Sequence, residues 1–340
     1  MSQKSDQISA VPSNIITGFL GVGKTSTILQ LLKTKPAHER WAVLVNEFGE
    51  IGIDGSVFES QHSEQHGVYI REVPGGCMCC TAGVPMQVAL AQLLRRAKPD
   101  RLLIEPTGLG HPTEVLQTLN DQTFKDALDI QNVITVVDAR QLSDKRYVEH
   151  ETFQQQIAIA DVIVANKSDL YDQHDQSKLE DYLQRKSLTG LPLIFTQQGV
   201  IQHGLLDGRR EQGARNLSSN LRIDGLADRE PQFEQPMSEG GYIKALNNGE
   251  GFVSIGWRFA EHCIFDKERL FTFLSGVDAE RLKATFITDQ GCFAYNLTKD
   301  AISEVELEGF EESRIEIIAR ELDDKWEAAL FDSLITSLSN

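Results

Sequence analysis

The 340-residue sequence is most informative in what it leaves out. After Met1 the start reads "SQKSDQISAVPSN", with no basic stretch and no apolar run of the kind that marks a secretory leader. No later segment reaches the roughly 18 consecutive apolar residues needed to span a bilayer, which argues against a membrane partner and for a cytoplasmic location. Basic residues are scarce: 33 Lys and Arg stand against 50 Asp and Glu, a formal net charge of -17. Nucleic-acid binding needs clustered cations to neutralise phosphates, so that class is excluded as the main role. Internal repeats and low-complexity tracts are missing, and the eight His are scattered rather than gathered into a tract. Cysteines number only five. In a reducing compartment they are not expected to form structural disulfides.

The remaining composition is that of a globular chain long enough for about two domains. Nearly continuous apolar runs recur at 13–19, 40–48, 68–73, 101–107, 132–139, 161–167 and 191–197. Such runs suit strands covered on both faces. Helical periodicity at 24–34 and 85–97 lies between them, the latter opening on Pro85. The alternation predicts an α/β doubly wound, mostly parallel sheet over residues 13–200, after a flexible start at 1–12. From 201 to 240 the pattern gives way to a polar, turn-rich linker. Beyond it, strand-like runs at 251–259, 283–289 and 292–297, with helical stretches at 266–276 and 323–338, predict a smaller C-terminal α+β domain over 241–340.

The strongest chemical signal is "GFLGVGKT", Gly18 to Thr25, which fits the phosphate-binding loop pattern at every fixed position, between a predicted strand and a predicted helix. Gly18, Gly21 and Gly23 let backbone N–H groups curl around phosphate oxygens, Lys24 reaches the outer phosphates and the Thr25 hydroxyl ligates Mg²⁺. The nucleotide is indicated by "ANKSD", residues 165–169. A carboxylate such as Asp169 accepts two hydrogen bonds from the guanine edge, and adenine offers no such pair, so GTP is preferred over ATP. A P-loop kinase or ATPase is the competing class. Glu105, closing the run "LLIEPTG", stands where P-loop proteins hold Mg²⁺ through water, with Gly108 able to sense the γ-phosphate. Many GTPases carry Asp at that place, and a plain strand-end carboxylate is the bland alternative. Asp138 in "TVVDAR" reads as structural, for example a helix cap.

Three of the five cysteines, Cys77, Cys79 and Cys80, fall within "GGCMCC". In an open parallel sheet the strand carboxyl ends gather ligands, so this stretch, following the run at 68–73, shares a rim with the phosphate loop. Three thiolates suit Zn²⁺ first, with Co²⁺ and other divalents behind. Glu47 of "NEFGE" is the leading outside ligand, ahead of His66 and His111, while a hydrogen-bonded surface role is the default for those two and for His62. A redox pair formed by Cys77 and Cys80 ranks second, and inert packing, the reading given to Cys263 and Cys292, ranks last.

Taken in order, "GFLGVGKT", "NEFGE", "GGCMCC", "EPTGLGHP" and "NKSD" resemble the CobW-type metallochaperone GTPases of the SIMIBI class of P-loop proteins. The likeness spans residues 13 to about 200 and is looser through "GFVSIGWRF" and "FITDQGCFAYNL". It implies a GTPase that carries a transition metal, often zinc, to a client metalloenzyme, with cobalt or iron service as variants within the family. It further implies that Gly18, Gly21, Gly23, Lys24, Thr25 and Ser26 bind phosphates and Mg²⁺. Asn166, Lys167 and Asp169 would bind guanine, and Cys77, Cys79 and Cys80, with Glu47, would hold the metal. Lys24 and Glu105 are the candidate catalytic groups, and slow turnover is expected because no Gln follows Gly108. A zinc buffer with a vestigial nucleotide site is the non-enzymatic rival.

Overall fold

A computed structural model describes residues 10–45, 66–73, 84–110, 112–208, 241–249, 252–298, 301–307 and 312–335. Eight strands of the first sheet are β1 (Val11–Gly18), β2 (Trp41–Val45), β3 (Val68–Glu72), β4 (Arg101–Glu105), β5 (Leu128–Ile130), β6 (Ile134–Val137), β7 (Val162–Ala165) and β8 (Leu193–Phe195). They run in the order β3-β2-β4-β1-β6-β7-β8, with β5 paired to the start of β1, and every pairing is parallel.

The continuous apolar runs divide between two cores because successive side chains point to opposite faces. Trp41, Val43 and Val45 of β2 join one core, and Ala42 and Leu44 join the other. The first core is covered by α1 (Lys24–Lys33). The second is covered by α2 (Val84–Ala97) and α3 (Pro112–Leu119). After α4 (Lys145–Glu149), α5 (Glu151–Ala158) and α6 (Asp175–Arg185) complete the first layer through Phe153, Ile157, Leu179 and Leu183. Asp144 starts α4, its side chain accepting from the Arg146 N–H. This is the doubly wound α/β sheet expected from the alternation.

Ile201 and Leu206 are buried in the first core, and the Asn14 amide donates to the Leu206 carbonyl at 2.7 Å. The chain therefore stays on the parallel sheet to residue 208. The linker read from sequence at 201–240 therefore does not include 201–208, which pack on the sheet, and its remainder, 209–240, lies outside the described residues.

The C-terminal unit is a six-stranded antiparallel sheet of order β13-β12-β11-β14-β10-β9. Its strands are β9 (Tyr242–Gly249), β10 (Phe252–Ala260), β11 (Arg281–Thr288), β12 (Gly291–Thr298), β13 (Ile302–Leu307) and β14 (Glu312–Ala319). One face, with Trp257, Phe259, Leu282, Phe286 and Ile317, is covered by α7 (Lys267–Ser275) and α8 (Lys325–Asp332). Helical periodicity extends to residue 338, but α8 ends at Asp332. There the chain turns into an isolated bridge between Leu334 and Phe265, and the Ile335 N–H donates to the Ile264 carbonyl.

Phe252 and Ile318 project from the other face into the core of the parallel sheet. Asp144 and Glu280 both bind the Arg320 guanidinium, at 3.0 and 2.8 Å, alongside this contact.

Candidate functional site: a phosphate loop beside a guanine-type loop

β1 lies at the centre of the sheet, where the strand order changes direction, and the phosphate loop follows its carboxyl end. Gly18, Gly21 and Gly23 all have positive φ. Gly23, at φ 99°, precedes α1, and a Cβ there would sit 2.3 Å from the Asn166 Nδ2. Only glycine admits both that backbone and that approach. The Lys24 side chain is 3% exposed and its Nζ donates to the Phe19 carbonyl at 3.1 Å. Ser26, by contrast, faces solvent at the start of α1.

The Thr25 hydroxyl lies 2.9 and 3.1 Å from the two carboxylate oxygens of Glu105. Both residues are 6% exposed. β4 is the strand next to β1, and its last residue is Glu105, so strand pairing itself brings this carboxylate to the loop. A hydroxyl and a carboxylate placed together are hard oxygen donors of the kind Mg²⁺ takes. Gly108 then passes against Leu20, where a Cβ would come 2.8 Å from Leu20 Cδ2, and its carbonyl accepts from Gln156 Nε2 at 3.0 Å. Leu44, Val73, Met86, Ile104, Pro106 and Val115 line an apolar crevice against Glu105.

The second loop leaves β7. Asn166 is 2% exposed, and its amide bridges two loops: Nδ2 donates to the Val22 carbonyl and Oδ1 accepts from the Gly199 N–H, each at 2.9 Å. Lys167 adopts the left-handed conformation at φ 61°, with Nζ 3.8 Å from Asp138 Oδ2. Asp169 is exposed in the short 3-10 turn that follows. Tyr171 locks the loop from below, its hydroxyl donating to the Asn166 carbonyl at 2.6 Å and accepting from the Ala139 N–H at 3.0 Å. Burial, reinforced by the Asp138 charge, pushes this phenol's pKa well up, so it stays a donor at any ordinary pH. Asp138 caps the turn at Ala139–Ser143, as expected from sequence, and its carboxylate grips Arg140 at 2.9 and 2.6 Å.

Sequence reasoning missed three participants here. The turn Thr196–Gly199 after β8 joins the second loop through Ser168 N–H to the Thr196 carbonyl and through Gly199 to Asn166. Tyr171 follows the "NKSD" signature by two residues, yet nothing in its spacing announces a clasp. Phe19, a variable position of the phosphate loop, sits against Tyr147 and His150 at 4.9 Å and Phe252 at 5.9 Å between ring centres.

β2, β3 and β4 end level: Val45 is in register with both Glu72 and Glu105. Glu47, Cys77, Cys79, Cys80, His62 and His111 lie outside the described residues, and His66 is exposed. Among the described residues no group of three or more His, Cys, Asp or Glu is placed to hold a metal ion. Cys263 is buried and Cys292 partly so, both without a disulfide. No described helix is long and apolar enough to cross a membrane.

The model of the CobW/HypB/UreG nucleotide-binding domain matches residues 12–189, more than half of the chain. The chain belongs to the CobW/HypB/UreG family. Among curated members it is 37% identical over 324 residues to the zinc chaperone YeiR of Escherichia coli (strain K12), covering 93% of this chain and 95% of YeiR. The zinc chaperone CobW of Sinorhizobium sp is 29% identical over 221 residues, 58% of this chain and 62% of that protein. Of solved structures, Zn(II)-bound YjiA GTPase from E. coli aligns over 95% of this chain and 99% of its own, at 19% identity and a TM-score of 0.43. As a CobW/HypB/UreG domain, the parallel sheet places its two signature loops side by side, joined through Asn166.

Proposed function

We propose that this protein is a GTP-binding and GTP-hydrolysing metallochaperone that carries Zn²⁺ on Cys77, Cys79 and Cys80, with Glu47, and delivers it to a client metalloenzyme. The observation that carries the reading is the level ending of β2, β3 and β4 beside the phosphate loop. Glu105 stands at that level against Thr25, and the segments that contain Glu47 and the three cysteines follow directly after β2 and β3. A metal held there would lie close to the groups that read the nucleotide. The names of the curated relatives, zinc chaperones, agree with this cargo.

On this reading Lys24 exchanges the Phe19 carbonyl for the outer phosphates, and Gly18, Gly21 and Gly23 keep the loop open to them. Thr25, with Ser26 beside it, and Glu105 fit Mg²⁺ by their donor chemistry. When bound there, such an ion would neutralise phosphate charge. Asn166 holds the guanine loop to the phosphate loop, while Lys167 and Asp169 meet the base. Because binding coupling is reciprocal, GTP and metal alter one another's affinity by the same factor.

The test is a competition titration of Zn²⁺ and Co²⁺ into reduced protein with GDP or a non-hydrolysable GTP analogue plus Mg²⁺. A Cys77→Ala, Cys79→Ala, Cys80→Ala triple variant runs beside it. Tight, cysteine-dependent binding that shifts with nucleotide supports the carrier. Binding indifferent to nucleotide removes it and favours a thiol redox switch, and binding indifferent to the cysteines removes the proposed cargo site.

A further inference from the structure

The guanine loop contains a lysine whose ammonium lies beside a buried carboxylate. Lys167 has the left-handed backbone that turns its side chain back toward the end of β6, and its Nζ stops 3.8 Å from Asp138 Oδ2. Asp138 is 2% exposed and is held by Arg140. Its Oδ1 accepts from the Arg140 N–H and Nε, and its Oδ2 from Arg140 Nη2. One carboxylate thus faces two cations from two different elements, the turn after β6 and the loop after β7.

We propose that Asp138 is the positioning residue of the guanine site, acting through Lys167. This rests on the guanine-nucleotide reading above. A free lysine stem samples many rotamers, and holding it at the moment of binding opposes affinity. With the ammonium drawn toward Asp138 at 3.8 Å and the preceding carbonyl, that of Asn166, held by the Tyr171 hydroxyl, the four methylenes between them have fewer rotamers open to them. An ordered alkyl stem can cover the flat face of a base at little further entropic cost. Replacing the carboxylate by an amide reverses the local sign: Arg140 and Lys167 then face each other across a neutral group, and the lysine is pushed away from its place.

Asp138→Asn is the suitable probe because Asn caps a helical turn as well as Asp does, so the turn at Ala139–Ser143 is retained. Equilibrium affinity and release rate of a fluorescent GDP would be measured for the wild type, Asp138→Asn, Lys167→Met and the double variant. Each single change is expected to weaken GDP by about five- to tenfold, chiefly through faster release. The double variant is expected to be no weaker than Lys167→Met alone. Additive losses would overturn the proposal, since Asp138 would then act only on the fold.

The same four proteins unfolded in urea without nucleotide report the pair directly, and absence of coupling there also overturns it, even where a variant binds GDP too weakly to measure. A wild type that prefers ADP to GDP removes the guanine reading and this proposal together. Additive losses in a wild type that prefers GDP remove the proposal alone.

Discussion

The hydroxyl of Thr25 and the carboxylate of Glu105, eighty residues apart in sequence, share one hydrogen bond at 2.9 and 3.1 Å. Glu105→Gln keeps the volume and a hydrogen-bonding oxygen but loses the charge that favours a divalent cation. GTP hydrolysis is expected to fall by about 10²-fold, with a higher Mg²⁺ concentration needed for half-maximal rate. Phosphate release against Mg²⁺ reads both, and an unchanged Mg²⁺ dependence would leave Glu105 as an ordinary strand-end residue.

Gly23→Ala would drive a methyl group into the Asn166 amide, 2.3 Å away, on a backbone at φ 99°. Strain of about 1–2 kcal/mol is expected from the conformation alone, with the clash in addition. Because Asn166 also ties the Thr196–Gly199 turn, GDP release should accelerate more than the loss of thermal stability would suggest. Stopped-flow release beside a melting curve separates the two.

Phe252→Ala removes a buried ring from the contact with Phe19 and His150. Loss of about 3–5 kcal/mol in urea unfolding is expected, and Phe252→Leu should lose less than half of that. Since the Phe19 carbonyl receives Lys24, nucleotide affinity should change in the same variants although residue 252 belongs to the other sheet.

Acid should weaken the junction between the sheets. Hydrogen bonds from Arg146 first and Arg320 second hold the Asp144 carboxyl well below the usual carboxylate range. A depressed native value stabilises the fold above the unfolded value of about 3.9, and this contribution disappears as pH falls toward the native value. Asp144→Asn should therefore lower the urea midpoint at pH 7 and converge with the wild type at the acid end. A gap that persists undiminished below pH 3 would show that the loss does not come from the ionised carboxylate.

Much of the parallel sheet was legible in the sequence because a strand buried on both faces leaves an unbroken apolar run, as at Trp41–Val45 and Val162–Ala165. The phosphate loop was legible for a different reason: its glycines and Lys24 are required by backbone geometry at fixed spacing. β5 was not, since three residues carry no period. β13 and β14 carry acidic residues among their apolar ones, and their strand character is completed by pairing with β12 and β11. The overextended helix at 323–338 shows tertiary pairing winning over local periodicity, with Leu334 taken by Phe265. Within the site, Asp138 and Tyr171 matter through contacts between distant segments, which no local spacing encodes.

The ring of Phe19 has a consequence for modularity. It belongs to the loop that meets phosphate, and it is seated among side chains from both sheets. The antiparallel half is therefore no interchangeable attachment. Grafted onto another parallel sheet it would arrive with Phe252 and Ile318 lacking their socket, and the remaining half would present the socket empty. Change at position 252 is constrained by Phe19 and His150, so the two halves must diverge in step.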